Sequence, residues 1–75
     1  MLRITANPEI LGGKPIIKGT RMSVAFILQL LASHATEDEI LLDYPHLSKE
    51  DIYACLVYAA NAVKNEIYIE LEKAA

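Results

Sequence analysis

The residues with chemical potential are few, and most do not combine. His34 and His46 fall at expected helix ends or turns, with no serine or cysteine at a spacing that suggests a nucleophile and its base. Capping a helix end accounts for His34, and a solvated turn accounts for His46. Cys55 lies on the apolar face of a helical pattern and reads as a small core residue. As the single cysteine it excludes an intramolecular disulfide and a cysteine-built metal site. Glu37, Asp38 and Glu39 are consecutive, so they point in different directions and cannot converge on one ion; helix capping explains them. Asp43 and His46 can approach each other across Pro45, but two ligands do not make a metal site. Gly12-Gly13-Lys14 has the flavour of a phosphate loop, yet the GxxxxGK[ST] spacing is missing and Lys14 precedes Pro15 instead of a helix. The expectation is a protein that is not an enzyme and carries no cofactor or metal.

Two constellations remain. Lys14, Lys18 and Arg21 surround Gly19-Thr20. Three cations on a flexible backbone can grip phosphates, with the Thr20 hydroxyl as a further donor. The competing reading is a turn whose Arg21 pairs with an acid of the second or third helix. The other constellation is an order of three helices with tight turns at His34-Ala35-Thr36 and Pro45-His46-Leu47-Ser48, which is helix-turn-helix arithmetic. In a major groove, however, the start of the third helix would present Glu50 and Asp51 beside Lys49, and Tyr53, Ala54 and Val57 offer few donors to base edges.

Charge divides the chain in the same way. Residues 1–22 set Arg3, Lys14, Lys18 and Arg21 against Glu9, a balance of +3; residues 23–75 set three lysines against nine acids, a balance of −6, giving the net −3. A uniformly basic DNA-binding surface is excluded, whereas a basic patch near the N-terminus is not. The chain has 75 residues and is 53% hydrophobic, enough for one small domain and no second. Folding buries roughly 7,400 Å², worth on the order of 110 kcal/mol, and ordering the chain costs about the same. Such a balance favours burial of further apolar surface in an oligomer. No stretch approaches membrane-spanning length, and Met1-Leu2-Arg3-Ile4-Thr5 shows no signal-peptide core, so a cytoplasmic protein is expected.

The elements that must position these residues follow from pattern. Leu2-Arg3-Ile4-Thr5 alternates like a short strand, Asn7-Pro8 marks a turn, and Pro15-Ile16-Ile17 reads as a second short strand near an edge. Ser23 caps a first helix over about Val24 to His34, whose apolar side chains span an arc of about 200° and predict cover on two sides. Thr36-Glu37-Asp38-Glu39 is a capping box for a second helix that Pro45 ends near Tyr44. Ser48 opens a third helix with Ile52, Cys55, Leu56, Ala59 and Val63 on one face. After Val63 the register changes. Composition favours helix there, while the alternation of Ile67, Ile69 and Leu71 with Glu66, Tyr68 and Glu70 keeps a strand open. The predicted fold is mostly α: a three-helix, helix-turn-helix-like bundle of the homeodomain or winged-helix kind over 23–61. A basic β arm over 1–22 precedes it, and an acidic extension over 62–75 follows.

The run Asn7-Pro8-Glu9-Ile10-Leu11-Gly12-Gly13-Lys14-Pro15-Ile16-Ile17-Lys18-Gly19-Thr20-Arg21-Met22-Ser23-Val24 closely resembles the opening signature of the domain-of-unknown-function family 433. Asp43-Tyr44-Pro45-His46-Leu47-Ser48-Lys49-Glu50-Asp51-Ile52, with Ala54 to Ala60, resembles its second signature, and the likeness covers residues 4–61. The resemblance implies a helix-turn-helix-like, mostly helical fold behind short strands, usually dimeric. It also implies a role as the antitoxin of a type II toxin–antitoxin pair whose toxin looks like a PIN-type ribonuclease. Members often carry glycine between the first two helices, where this chain has His34-Ala35.

The leading expectation is a homodimeric antitoxin that also represses its own operator. Glu66, Ile67, Tyr68, Glu70 and Leu71 would contact the toxin, and Lys14, Lys18, Thr20, Arg21 and Lys49 would contact operator DNA. The alternatives are a stand-alone helix-turn-helix regulator and a structural homodimer.

Overall fold

Most elements are short, fixed by a local device and then by one shared core. The computed structural model describes residues 3–65. Strand β1 (Ile4–Ala6) pairs antiparallel with β2 (Pro15–Ile17), with Ile4 opposite Ile17 and Ala6 opposite Pro15. The proline stands at the first position of its strand, as its missing N–H requires. The loop between them folds over Asn7, whose side chain accepts from the Glu9 N–H at 2.9 Å, and then tightens into a 3-10 turn at Leu11–Gly13. Expectation placed the first strand at Leu2 to Thr5; the pairing runs to Ala6 because it must match β2.

A second tight turn follows. The N–H of Ile17 donates to Met22 O at 2.9 Å, which brings the chain straight back on itself. Gly19 takes φ 83°, open to glycine without strain. The Thr20 hydroxyl donates to Ile17 O at 2.8 Å and accepts from the Met22 N–H at 2.9 Å.

Helix α1 is Val24–Ala32, α2 is Glu37–Asp43 and α3 is Lys49–Asn65. The Ser23 hydroxyl accepts from the Phe26 N–H at 2.9 Å, and Thr36 with Glu39 forms the reciprocal capping box. Helix α1 ends two residues before its predicted limit. His34 adopts φ 73°, its N–H donates to Leu31 O at 3.0 Å, and the Ala35 N–H donates to Leu30 O at 3.1 Å. This is a Schellman closure, with histidine in the left-handed position that glycine usually fills. A second capping box opens α3: Asp51 accepts from the Ser48 N–H at 3.0 Å, and Ser48 Oγ accepts from the Asp51 N–H at 3.3 Å. The other carboxylate oxygen of Asp51 binds Arg3 Nη1 at 3.0 Å and ties the strand arm to α3.

The core is one cluster of Ile17, Val24, Ile27, Ile40, Leu47, Ile52 and Cys55. Two expectations are corrected by it. On α1 only Val24 and Ile27 are buried, Leu28, Leu30 and Leu31 are half-covered, and Phe26 is exposed, so cover is fuller on one side than the other. On α3 the buried face stops early: Ile52 and Cys55 are buried and Ala59 is half-buried, but Leu56 and Val63 are exposed, Val63 to 72%. Among the described residues no other element extends far enough along α3 to cover them.

His34→Gly relieves the left-handed strain and should raise stability by about 0.5–1 kcal/mol. A higher urea midpoint at unchanged slope is the readout. Asp51→Ala should destabilise by about 1–2 kcal/mol through the lost cap. Arg3→Ala should cost less, because the Arg3 side chain is 43% exposed and its ion pair is screened. A double-mutant cycle on the pair should shrink with added salt. Burial, with a smaller push from the Asp51 carboxylate, raises the Cys55 thiol from 9.0 to about 11. Below that window both states hold the proton. Between 9.0 and about 11 the unfolded thiol ionises first, so stability should fall as pH rises through it. Urea midpoints of the wild type, compared with Cys55→Ala across that window, isolate the effect. At neutral pH iodoacetamide should label Cys55 only on unfolding.

Candidate binding surfaces

The basic residues divide into two places. Lys18 and Arg21 flank the Gly19-Thr20 turn, and both are exposed. The Lys18 N–H donates to Arg3 O at 2.7 Å, and the Arg3 head reaches Asp51 near the start of α3, where exposed Lys49 also stands. Through Arg3, the Lys18 end of β2 is thus linked to the N-terminal end of α3. Lys14 caps the other end of β2 and lies about 13 Å from Lys18 along the strand direction, so it does not join them. Thr20 is corrected as a phosphate donor: its hydroxyl proton is committed to Ile17 O within the turn. Arg21 is corrected as the partner of an acid on α2 or α3. Among the described residues Arg3 makes the ion pair and Arg21 makes none.

Arg21 instead rims a groove of about 480 Å³ with Leu11, Met22, Phe26, Tyr44 and His46. Phe26 and Tyr44 meet edge to face, with centroids 5.9 Å apart and planes at 87°. Leu11 takes φ 51° and stays 45% exposed. It thus carries left-handed strain without the compensation of full burial.

The larger apolar surface lies on α3. From Ile52 to Val63 the chain carries no Asp, Glu, Lys or Arg. Only Ile52 and Cys55 in that stretch are buried. Tyr53 is 66% exposed, and Leu56, Val57, Tyr58 and Val63 are exposed beside it. Tyr53, Ala54, Val57, Tyr58 and Asn61 form a groove of about 500 Å³ against Arg3 and Ile4 of the arm. A helix that is uncharged around most of its circumference is ordinarily buried. This surface can bind an apolar partner; it has few donors for reading base edges.

Sequence reasoning missed the Arg3–Asp51 link and the second capping box. The Ser48-x-x-Asp51 spacing was the available signal for the latter. The proposed partner residues Glu66, Ile67, Tyr68, Glu70 and Leu71 lie outside the described residues. Among the described residues no three of His, Cys, Asp and Glu converge as a metal-binding group, and no helix is long and apolar enough to cross a membrane.

Comparison with known proteins agrees with this architecture. The profile of the family described as "Protein of unknown function (DUF433)" matches residues 4–59. An uncharacterized protein of Sinorhizobium fredii, y4eO, is 34% identical over 56 residues, which are 75% of this chain and 25% of that protein. The crystal structure of a DUF433 member from Anabaena variabilis superposes with a TM-score of 0.80 at 28% identity, over 85% of this chain and 63% of that one. The chain thus spans a quarter of the length of the first relative and less than two thirds of the second. With three helices behind a two-stranded antiparallel hairpin, and the family profile matched along most of its length, this chain belongs to the DUF433 family.

Proposed function

We propose that this protein is a non-catalytic, homodimeric antitoxin that binds and neutralises a PIN-type ribonuclease. The observation that carries the reading is the uncovered far half of α3. The helix continues to Asn65, well past the last residue its own core buries, and its exposed side chains there are mostly apolar. A protein of this size with that much uncharged exposed helix is built to be covered. In sequence, residues 66–75 follow with Glu66, Glu70 and Glu72 against Lys73, a charge balance suited to the basic RNA-binding face of a nuclease. The buried thiol of Cys55, held protonated, is not a nucleophile at neutral pH.

Operator binding is the second activity in this proposal, made by the basic arm and the Lys49 end of α3. Exposed Lys18, Arg21 and Lys49 favour it. So does the Arg3–Asp51 pair, which neutralises one of the two carboxylates at the start of α3. Phosphate contacts then dominate, because the start of α3 offers few side chains that read base edges.

Co-expression with the ribonuclease encoded by the adjacent gene tests the main reading. The expected outcome is restored growth and a purified complex that no longer cleaves RNA. Replacing Ile67 and Leu71 with glutamate should release the nuclease and leave the urea midpoint of the free protein unchanged. Absence of a complex together with unrelieved toxicity overturns the antitoxin assignment.

A further inference from the structure

We propose that α3 pairs antiparallel with α3 of a second copy, about a two-fold axis at Val57, with Glu50 of each copy meeting Lys64 of the other. The inference rests on the homodimeric part of the reading above; it takes the Tyr53–Val57–Asn61 stripe for the second copy and leaves exposed Leu56 and Val63, about 100° further round the helix, for the ribonuclease.

The pattern is in the exposed side chains. Projected at about 100° per residue, Glu50, Tyr53, Val57, Asn61 and Lys64 fall within an arc of about 80°. That stripe lies opposite Ile52 and Cys55, which face the core. Glu50, Tyr53, Val57, Asn61 and Lys64 are all exposed, and among the described residues neither Glu50 nor Lys64 has an ion-pair partner. The only charges on the stripe are at its ends, and they have opposite sign.

The spacing is symmetric about Val57. Glu50 precedes it and Lys64 follows it by two helical turns each, while Tyr53 and Asn61 stand one turn away on either side. An antiparallel pair centred there brings Glu50 to Lys64 twice and sets each Tyr53 hydroxyl beside an Asn61 amide. Ala54 and Ala60 flank the stripe on either side, and their small side chains let the helices approach to about 8–9 Å. A parallel pair would set Glu50 against Glu50 and Lys64 against Lys64. The uncharged centre suits a second copy of this chain, because it leaves no like charges to repel despite the net −3. Opposed helix dipoles add to the preference.

Sedimentation velocity and oxidative cross-linking of the full chain test the arrangement. Lys64→Glu should weaken dimerisation by about tenfold or more, and Glu50→Lys in the same chain should restore it to within about threefold. Val57→Cys should link to its counterpart in oxidised glutathione. Tyr53→Cys should link to Asn61→Cys in a mixed sample, but not to itself. Wild type, whose Cys55 is buried, should not link. A dimer indifferent to the charge exchange, with no link through position 57, overturns the pairing and leaves the homodimer standing. A monomer at all concentrations overturns both.

Discussion

Four isoleucines, one from each of β2, α1, α2 and α3, must meet at one point. Ile17, Ile27, Ile40 and Ile52 are all fully or nearly fully buried there. None of the elements that carry them is stable by itself: the strands have three residues each and α2 has seven. Their conformations persist because each contributes an isoleucine to one shared buried cluster. The tight return at Ile17 and Met22, the capped start of α2 and the stop at Pro45 all deliver an isoleucine to this junction. A core of this size has a limited reach. It covers the first half of α3 and, among the described residues, leaves the second half without a neighbour. The most conspicuous surface of the molecule is thus a consequence of how small its interior is.

The parts legible in the sequence are those decided by residues a few positions apart. Ser23, Thr36 with Glu39, and Pro45 each announce a helix boundary, because the donor and acceptor that settle it lie within one turn. Pro15 marks β2 for the same reason. Errors arise where a remote part of the chain decides. Helical periodicity puts Leu56 and Val63 on the face of Ile52, but it cannot say where the neighbouring elements end. Arg3 and Asp51 are remote in sequence, so Asp51 read only as a charge unfavourable to DNA. The Schellman closure at His34 is hidden for another reason: histidine does not advertise a left-handed backbone as glycine does.

The candidate site was legible to a similar degree. The basic grouping could be seen, but not its division between the two ends of β2. Thr20 looked like a ligand donor because a hydroxyl beside glycine and two cations often is one; here the backbone of the same turn claims it. The expected partner surface spans residues 62–75, whereas exposed apolar side chains begin earlier on α3, at Tyr53, since residues that looked like core are on the outside. One helix therefore divides its labour along its length, with its early turns closing the interior and its later turns facing outward.

The bond between Arg3 and Asp51 joins positions 48 residues apart. During synthesis the amino-terminal hairpin leaves the ribosome long before its anchor has been translated. Until α3 emerges, β2 has α1 to pack on, but β1 lacks the helix it meets, and so short a hairpin does not hold alone. The described helix made last is what secures β1, so a nascent chain arrested before α3 holds its hairpin by β2 only.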